Sequence, residues 1–206
     1  MKRKVRRGQG GTKRSENLTL KIIGNNCAGL KGKKESFENL LKIFSPAIVM
    51  IQETKLYRKG TMNFEQFQCF EKTRNEKEGG GLMTLIHKNL NPVLIPTKNQ
   101  SKMSLNILVV AATIRKMKIR FINAYGVQEC AANDEKVEFY TILEDEILSA
   151  LNSGNMICIA MDANAKLGKK YIKEDKHDIS NNGRLLLSLV ERLNLVVVNS
   201  TSKNAL

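Results

Sequence analysis

Apolar and polar positions along the 206 residues fall into two alternating patterns. Short apolar runs recur at LTLKIIG (18–24), AIVMI (47–51), GLMTLIHK (81–88), LNILVVAATI (105–114), KIRFINAY (118–125), MICIAM (156–161) and LVVVN (195–199). Each has the length and composition of a strand. Between them the period changes. Phe37, Leu40, Leu41 and Phe44 repeat at helical spacing until Pro46 stops the segment, since proline cannot continue a helix. Tyr140, Leu143, Ile147 and Leu151 mark a second helix, ended by Asn152 and Gly154, with Glu144, Asp145 and Glu146 expected on its solvent side. Leu186, Leu189, Val190 and Leu193 mark a third, and all three stripes read as core-facing.

The segment ATIRKMKIRF reads as a hairpin about Lys116-Met117. Gly79 to Gly81 form an entry to the next strand and lack the spacing of a phosphate-binding loop, so they read as a turn. Strands alternating with helices, with antiparallel hairpins among them, predict an α/β sandwich of two sheets with helices outside. No internal repeat or dividing linker interrupts the chain.

Three of the runs end in polar groups suited to chemistry. The first leads into Asn25-Asn26 and a turn at Gly29, the second into Gln52-Glu53, and the sixth into Asp162-Ala163-Asn164. A single acid or amide at a strand end is an ordinary turn residue. Three such ends in one chain point further, because a buried strand tip holds a carboxylate as metal or water chemistry on phosphates requires.

Charge narrows the partner. The chain carries 34 basic and 20 acidic residues, a net +14. Half of that excess is Lys2, Arg3, Lys4, Arg6, Arg7, Lys13 and Arg14, in a Gly-containing stretch with no acid. Residues 1–16 therefore read as a disordered basic tail, either a nuclear-localisation or polyanion-binding arm or a solvated extension, ahead of a domain over 17–206. The +7 that remains in the domain favours a phosphate-bearing partner. No apolar stretch approaches membrane-spanning length, and the N-terminus lacks the apolar region of a secretory signal. Cys27, Cys69, Cys130 and Cys158 are far apart, with no Cys-x-x-Cys pair, which argues against a zinc site and fits a reducing, intracellular compartment.

In order, GNNCAGL, IQET, INAYG (122–126) and AMDANAKLG (160–168) resemble the exonuclease/endonuclease/phosphatase superfamily. Within it the chain is most similar to the endonuclease domain of non-LTR (LINE-type) retrotransposons, itself similar to apurinic/apyrimidinic endonucleases. The tail HDISNNGRLLLSLVERLNLVVVNST (177–201) resembles the segment after the Asp-x-Asn motif in those domains, and the likeness spans residues 18–201. The resemblance implies a four-layer α/β sandwich and Mg²⁺- or Mn²⁺-dependent phosphodiester hydrolysis that nicks DNA. It implies Glu53 and Asn26 as metal ligands, Asp162 as the group that orients or deprotonates water, Asn164 as its phosphate-polarising companion, and Tyr125 near the scissile group. It implies a monomer, nuclear in location, within a polyprotein that includes a reverse transcriptase.

Two departures accompany it. Ala28 stands where many apurinic endonucleases have an acid. The family's terminal Ser-Asp-His motif and a late Asp beside a sheet-pairing strand are missing, and neither His87 nor His177 matches them, so the chain reads as lacking its last strands: a fragment of a longer reading frame or a decayed copy. Two alternatives to an active endonuclease stay open: an inactive nucleic-acid-binding remnant and another phosphoesterase of the superfamily.

Overall fold

The computed structural model describes residues 19–58, 60, 62–74, 79–169 and 177–198. The basic arm, Lys2 to Arg14, and the proposed boundary at residue 16 lie outside the described residues. In chain order the elements are β1 (Ile22–Asn26), α1 (Lys34–Phe44), β2 (Ile48–Gln52), β3 (Phe67–Lys72), β4 (Leu82–His87), β5 (Val93–Ile95), β6 (Ile107–Ile114), β7 (Met117–Tyr125), α2 (Asn133–Asn152), β8 (Met156–Asp162) and α3 (Asn181–Arg192). They build two four-stranded sheets, ordered β1-β2-β4-β3 and β5-β6-β7-β8. Each sheet is mixed, with β1 parallel to β2 and β7 parallel to β8, the other pairs being antiparallel.

The sheets pack face to face. Ile48, Met50, Leu82 and Ile86 of the first meet Leu108, Val110, Ala112 and Phe121 of the second. The outer face of the first sheet buries Val49, Ile51, Met83 and Leu85 against Phe37 of α1 and the loop residues Leu56, Met62 and Phe64. The outer face of the second buries Ile107, Val109 and Ile122 under Phe139, Leu143 and Ile147 of α2 and Leu189 of α3. Helix, sheet, sheet and helix form the four layers. Central strands β2 and β4 are covered on both faces, which is why their sequences are continuously apolar rather than alternating.

Several expectations are corrected in detail. Strands β3 and β5 were not anticipated; β5 is three residues of an edge with Val93 and Leu94 exposed, and the aromatics of FQCFEK in β3, Phe67 and Phe70, stand three apart, off the two-residue period of a strand. The first strand begins at Ile22, with residues 19–21 outside it, while residue 18 lies outside the described residues. The hairpin turns at Arg115-Lys116, one residue earlier than expected: both have positive φ (49° and 71°), and Ile114 pairs with Met117 across the turn. This is the double left-handed turn that matches strand twist. Described residues 195–198 are not strand, and Val196 and Val198 are 78% and 68% exposed. On α2, Glu146 is buried rather than solvent-facing, its carboxylate accepting from the Lys98 N–H at 3.3 Å, while Leu151 is exposed. Phe44, at the last turn of α1, is also exposed, where Ser45 caps the helix end in a left-handed conformation.

Candidate active site

Both parallel strand pairs end at the same edge of the sandwich. In the first sheet Asn26 lies beside Gln52, whose successor is Glu53; in the second, Tyr125 lies beside Asp162. The carboxyl ends of parallel strands are where α/β folds place ligands. The sheets come close here because the residues beneath are small: a Cβ on Gly24 would sit 2.8 Å from that of Ala160. Asn26 of one sheet thereby reaches Asp162 of the other.

Two side-chain bonds cross the gap. Asn26 Nδ2 donates to Asp162 Oδ2 at 2.6 Å, while Asn26 Oδ1 accepts from the Ala28 N–H at 2.9 Å, which fixes the amide's orientation. The Tyr125 hydroxyl donates to Glu53 Oε1 and accepts from Gln128 Nε2 at 3.0 Å. Burial and the Glu53 bond push the Tyr125 phenol up to about 12, so it is an O–H donor throughout the neutral range. Asp162 Oδ1 accepts from the Asn164 N–H at 3.1 Å, and Asn164 Nδ2 donates to the Gly126 carbonyl at 2.7 Å. Lys55 Nζ stands 3.8 Å from Glu53 Oε2.

The local backbone is contorted to make this possible. Ala28, Glu53, Lys55 and Asn164 have φ between 46° and 52°. Non-glycine residues held in this region carry strain that the surroundings must overcome. Those surroundings are visible around Glu53. Gly29 N–H donates to its carbonyl at 2.7 Å, and the following Thr54 and Lys55 N–H groups donate to Gly81 and Gly80 at 3.1 and 2.8 Å. The triglycine segment thus braces the loop behind Glu53. Gly81 (φ +88°) also leaves room that a Cβ would fill, 2.6 Å from Thr54 Oγ1.

All five candidate side chains (Asn26, Glu53, Tyr125, Asp162 and Asn164) therefore meet at one edge. The structure adds supports that the sequence reading gave no role. Asn182, fully buried at the start of α3, donates to the Val127 and Asn164 carbonyls at 2.8 and 3.1 Å. Glu129 accepts from the Asn181 and Asn182 N–H groups at 3.0 and 3.2 Å. Burial pushes the Glu129 carboxyl up, but bonds from Ser180, Asn182, Asn181 and Lys136 outweigh it and hold it below its usual value. The Asn-Gly pair at 182–183 was the available signal: a Cβ on Gly183 would lie 2.1 Å from the Lys166 carbonyl.

Glu53 and Tyr125 also border an open cleft of about 360 Å³, whose wall includes Lys55, Arg74, Lys102 and Gln128. Among the described residues no three His, Cys, Asp or Glu side chains gather as a metal cluster. Glu53, half-buried, and Glu135 are the carboxylates lining the cleft, and Glu53 is the one at the strand tips. Of the histidines, His87 lies at the opposite end of the sheet, its N–H donating to the Ala47 carbonyl, and His177 is exposed in a loop.

No protein-family model and no curated protein sequence matches the chain. Solved structures do. An AP endonuclease from Leishmania major superposes with a TM-score of 0.66 at 13% identity, over 85% of this chain and 67% of that one. The endonuclease domain of TRAS1, a telomere-specific non-LTR retrotransposon, gives 0.64 at 16%, over 87% and 73%. An AP endonuclease from Archaeoglobus fulgidus gives 0.61 at 16%, over 84% and 71%. The fold is that of the exonuclease/endonuclease/phosphatase proteins.

Proposed function

We propose that the chain is a divalent-metal-dependent phosphodiesterase that nicks DNA, of the retrotransposon endonuclease kind. The observation that carries this reading is the meeting of Asn26, Asp162 and Asn164 with Glu53 and Tyr125 at one edge of the sandwich, bonded across the two sheets. Likeness to DNA-acting nucleases and the cations around the cleft support DNA as the substrate.

Asp162 is the base. Its Oδ2 is held by Asn26 and its Oδ1 by the Asn164 N–H, so the carboxylate has one orientation from which to take a proton from water. The water oxygen bonds to phosphorus as the bond to the leaving sugar oxygen breaks. Asn164 Nδ2 has a second N–H beyond the one given to Gly126, and it can polarise a phosphate oxygen. The Tyr125 hydroxyl fixes the Glu53 carboxylate.

The donor set fits Mg²⁺ or Mn²⁺. Glu53 and the remaining lone pair of Asn26 Oδ1 are hard oxygen donors, and a site with so few protein ligands leaves several metal waters in place, as Mg²⁺ prefers. The ion would neutralise phosphate oxygen charge. Supercoiled plasmid incubated with the chain should convert to open circle in Mg²⁺ and remain supercoiled in chelator. Plasmid that is bound but never cut would favour the inactive nucleic-acid-binding remnant instead.

A further inference from the structure

Below the strand tips lies a polar cluster that takes no part in the chemistry above. Asn123 and Gln52 sit between the sheets, 0% and 2% exposed. Their surroundings are Met50, Leu82, Leu108, Phe121 and similar side chains. Two primary amides in such a layer are costly unless their donors and acceptors are matched. Here they are. Asn123 Oδ1 accepts from Gln52 Nε2 at 2.7 Å, and Asn123 Nδ2 faces the Ile51 carbonyl at 3.1 Å, the Met83 carbonyl at 2.9 Å and Thr84 Oγ1 at 3.2 Å. Gln52 Nε2 also lies 3.5 Å from the Ala160 carbonyl.

The pair therefore touches β2, β4, β7 and β8, and its place along them is significant. Gln52 immediately precedes Glu53, Asn123 is two residues before Tyr125 on β7, and Ala160 is two residues before Asp162 on β8. The two-residue steps span about 7 Å each, so the cluster lies directly beneath the candidate site. A volume-matched apolar pair would fill the same space with equal or greater stability. What it would lack is direction: apolar faces can shift against each other, whereas a matched set of buried hydrogen bonds holds one register.

We propose that the buried Gln52–Asn123 amide pair is a positioning device that keeps the Glu53 end of one sheet in register with the Tyr125 and Asp162 ends of the other. It rests on the nuclease reading, since it positions the groups assigned there. A misplacement of about 1 Å can cost on the order of 10² in rate.

The test uses Asn123→Leu, Gln52→Met and the double variant, with plasmid nicking, melting and side-chain amide exchange measured together. In the unaltered chain, the Gln52 and Asn123 side-chain amide protons should resist exchange. Each single variant leaves polar partners unmatched and should melt earlier. The double variant removes both amides, so it should regain the part of that loss that comes from one amide left facing an apolar side chain, though not the donor to the Ile51 and Met83 carbonyls. Its kcat should still be ~10- to 100-fold low, with KM for DNA within about threefold of the unaltered chain. A double variant that recovers rate along with stability would show a purely structural role and overturn the proposal. Fast-exchanging amides in an active chain would overturn it as well. Protected amides in an unaltered chain that cuts nothing would overturn the nuclease reading, and the positioning role with it.

Discussion

Asp162→Asn separates chemistry from binding. Both carboxylate oxygens are acceptors in the structure, Oδ2 from Asn26 Nδ2 at 2.6 Å and Oδ1 from the Asn164 N–H at 3.1 Å. An amide offers one acceptor and one donor, so whichever way it turns, one of these bonds becomes a donor facing a donor. The residue is half-buried, which places the loss near the lower end of the range for an unmatched polar group, about 1 kcal/mol. For a domain of this size that is a fall in Tm of roughly 2–4 °C. The rate should suffer far more, since the group that takes the water's proton is gone, and a decrease of ~10² or more is expected. DNA affinity should hold or rise slightly, because the net charge of +14 becomes more positive by one. Single-turnover nicking with enzyme in excess, fluorescence anisotropy on a labelled duplex, and a thermal melt measure the three quantities separately. A single-turnover rate within threefold of the unaltered chain, or equal losses of rate and affinity, would refute the reasoning.

Other predictions follow from the same geometry. Tyr125→Phe should remove a phenol that titrates near 12 by ultraviolet absorbance. Because that value is raised above 10, the stability from its bond to Glu53 is present below pH 10 and lost as pH rises through about 12. Glu129 shifts the other way: its contribution is present above the ordinary 4.5 and is lost as pH falls through its lower folded value. Glu129→Gln should therefore flatten the acid side of a Tm-against-pH curve. Gly183→Ala drives a methyl to 2.1 Å from the Lys166 carbonyl and should cost about 2 kcal/mol or more, read as a fall in Tm of several degrees. Deleting residues 2–14 should reduce the slope of log K against log salt by at most ~6 while leaving relative cutting among sequences unchanged.

The strand tips were legible in the sequence because β2, buried on both faces, and β8, partly covered on both, are continuous apolar runs, and the first polar residue after each marks where the chain leaves the sheet. Amphipathic spacing likewise exposed α1, α2 and α3. What stayed hidden depends on contacts distant in the chain. Gln52 and Asn123 resemble ordinary polar interruptions until the second sheet is laid on the first and each becomes the other's partner. Glu146 occupies what local patterning reads as a solvent face, yet Lys98, 48 residues earlier, supplies its donor. Residues 195–198 have strand composition but are not assigned to a strand, and composition alone does not make a ladder. Asn182 acts through two carbonyls on separate loops, which no local spacing encodes.

The most direct test of the nuclease reading is Mg²⁺-dependent plasmid nicking by the chain and by Glu53→Gln, side by side with their melting curves. Gln keeps the shape and the acceptor for the Tyr125 hydroxyl but removes the charge that a divalent ion requires. Glu53→Gln should melt cooperatively within a few degrees of the unaltered chain and nick at least ~10²-fold more slowly at every Mg²⁺ concentration. Equal nicking by the two proteins, with the same dependence on Mg²⁺, would contradict the nuclease reading.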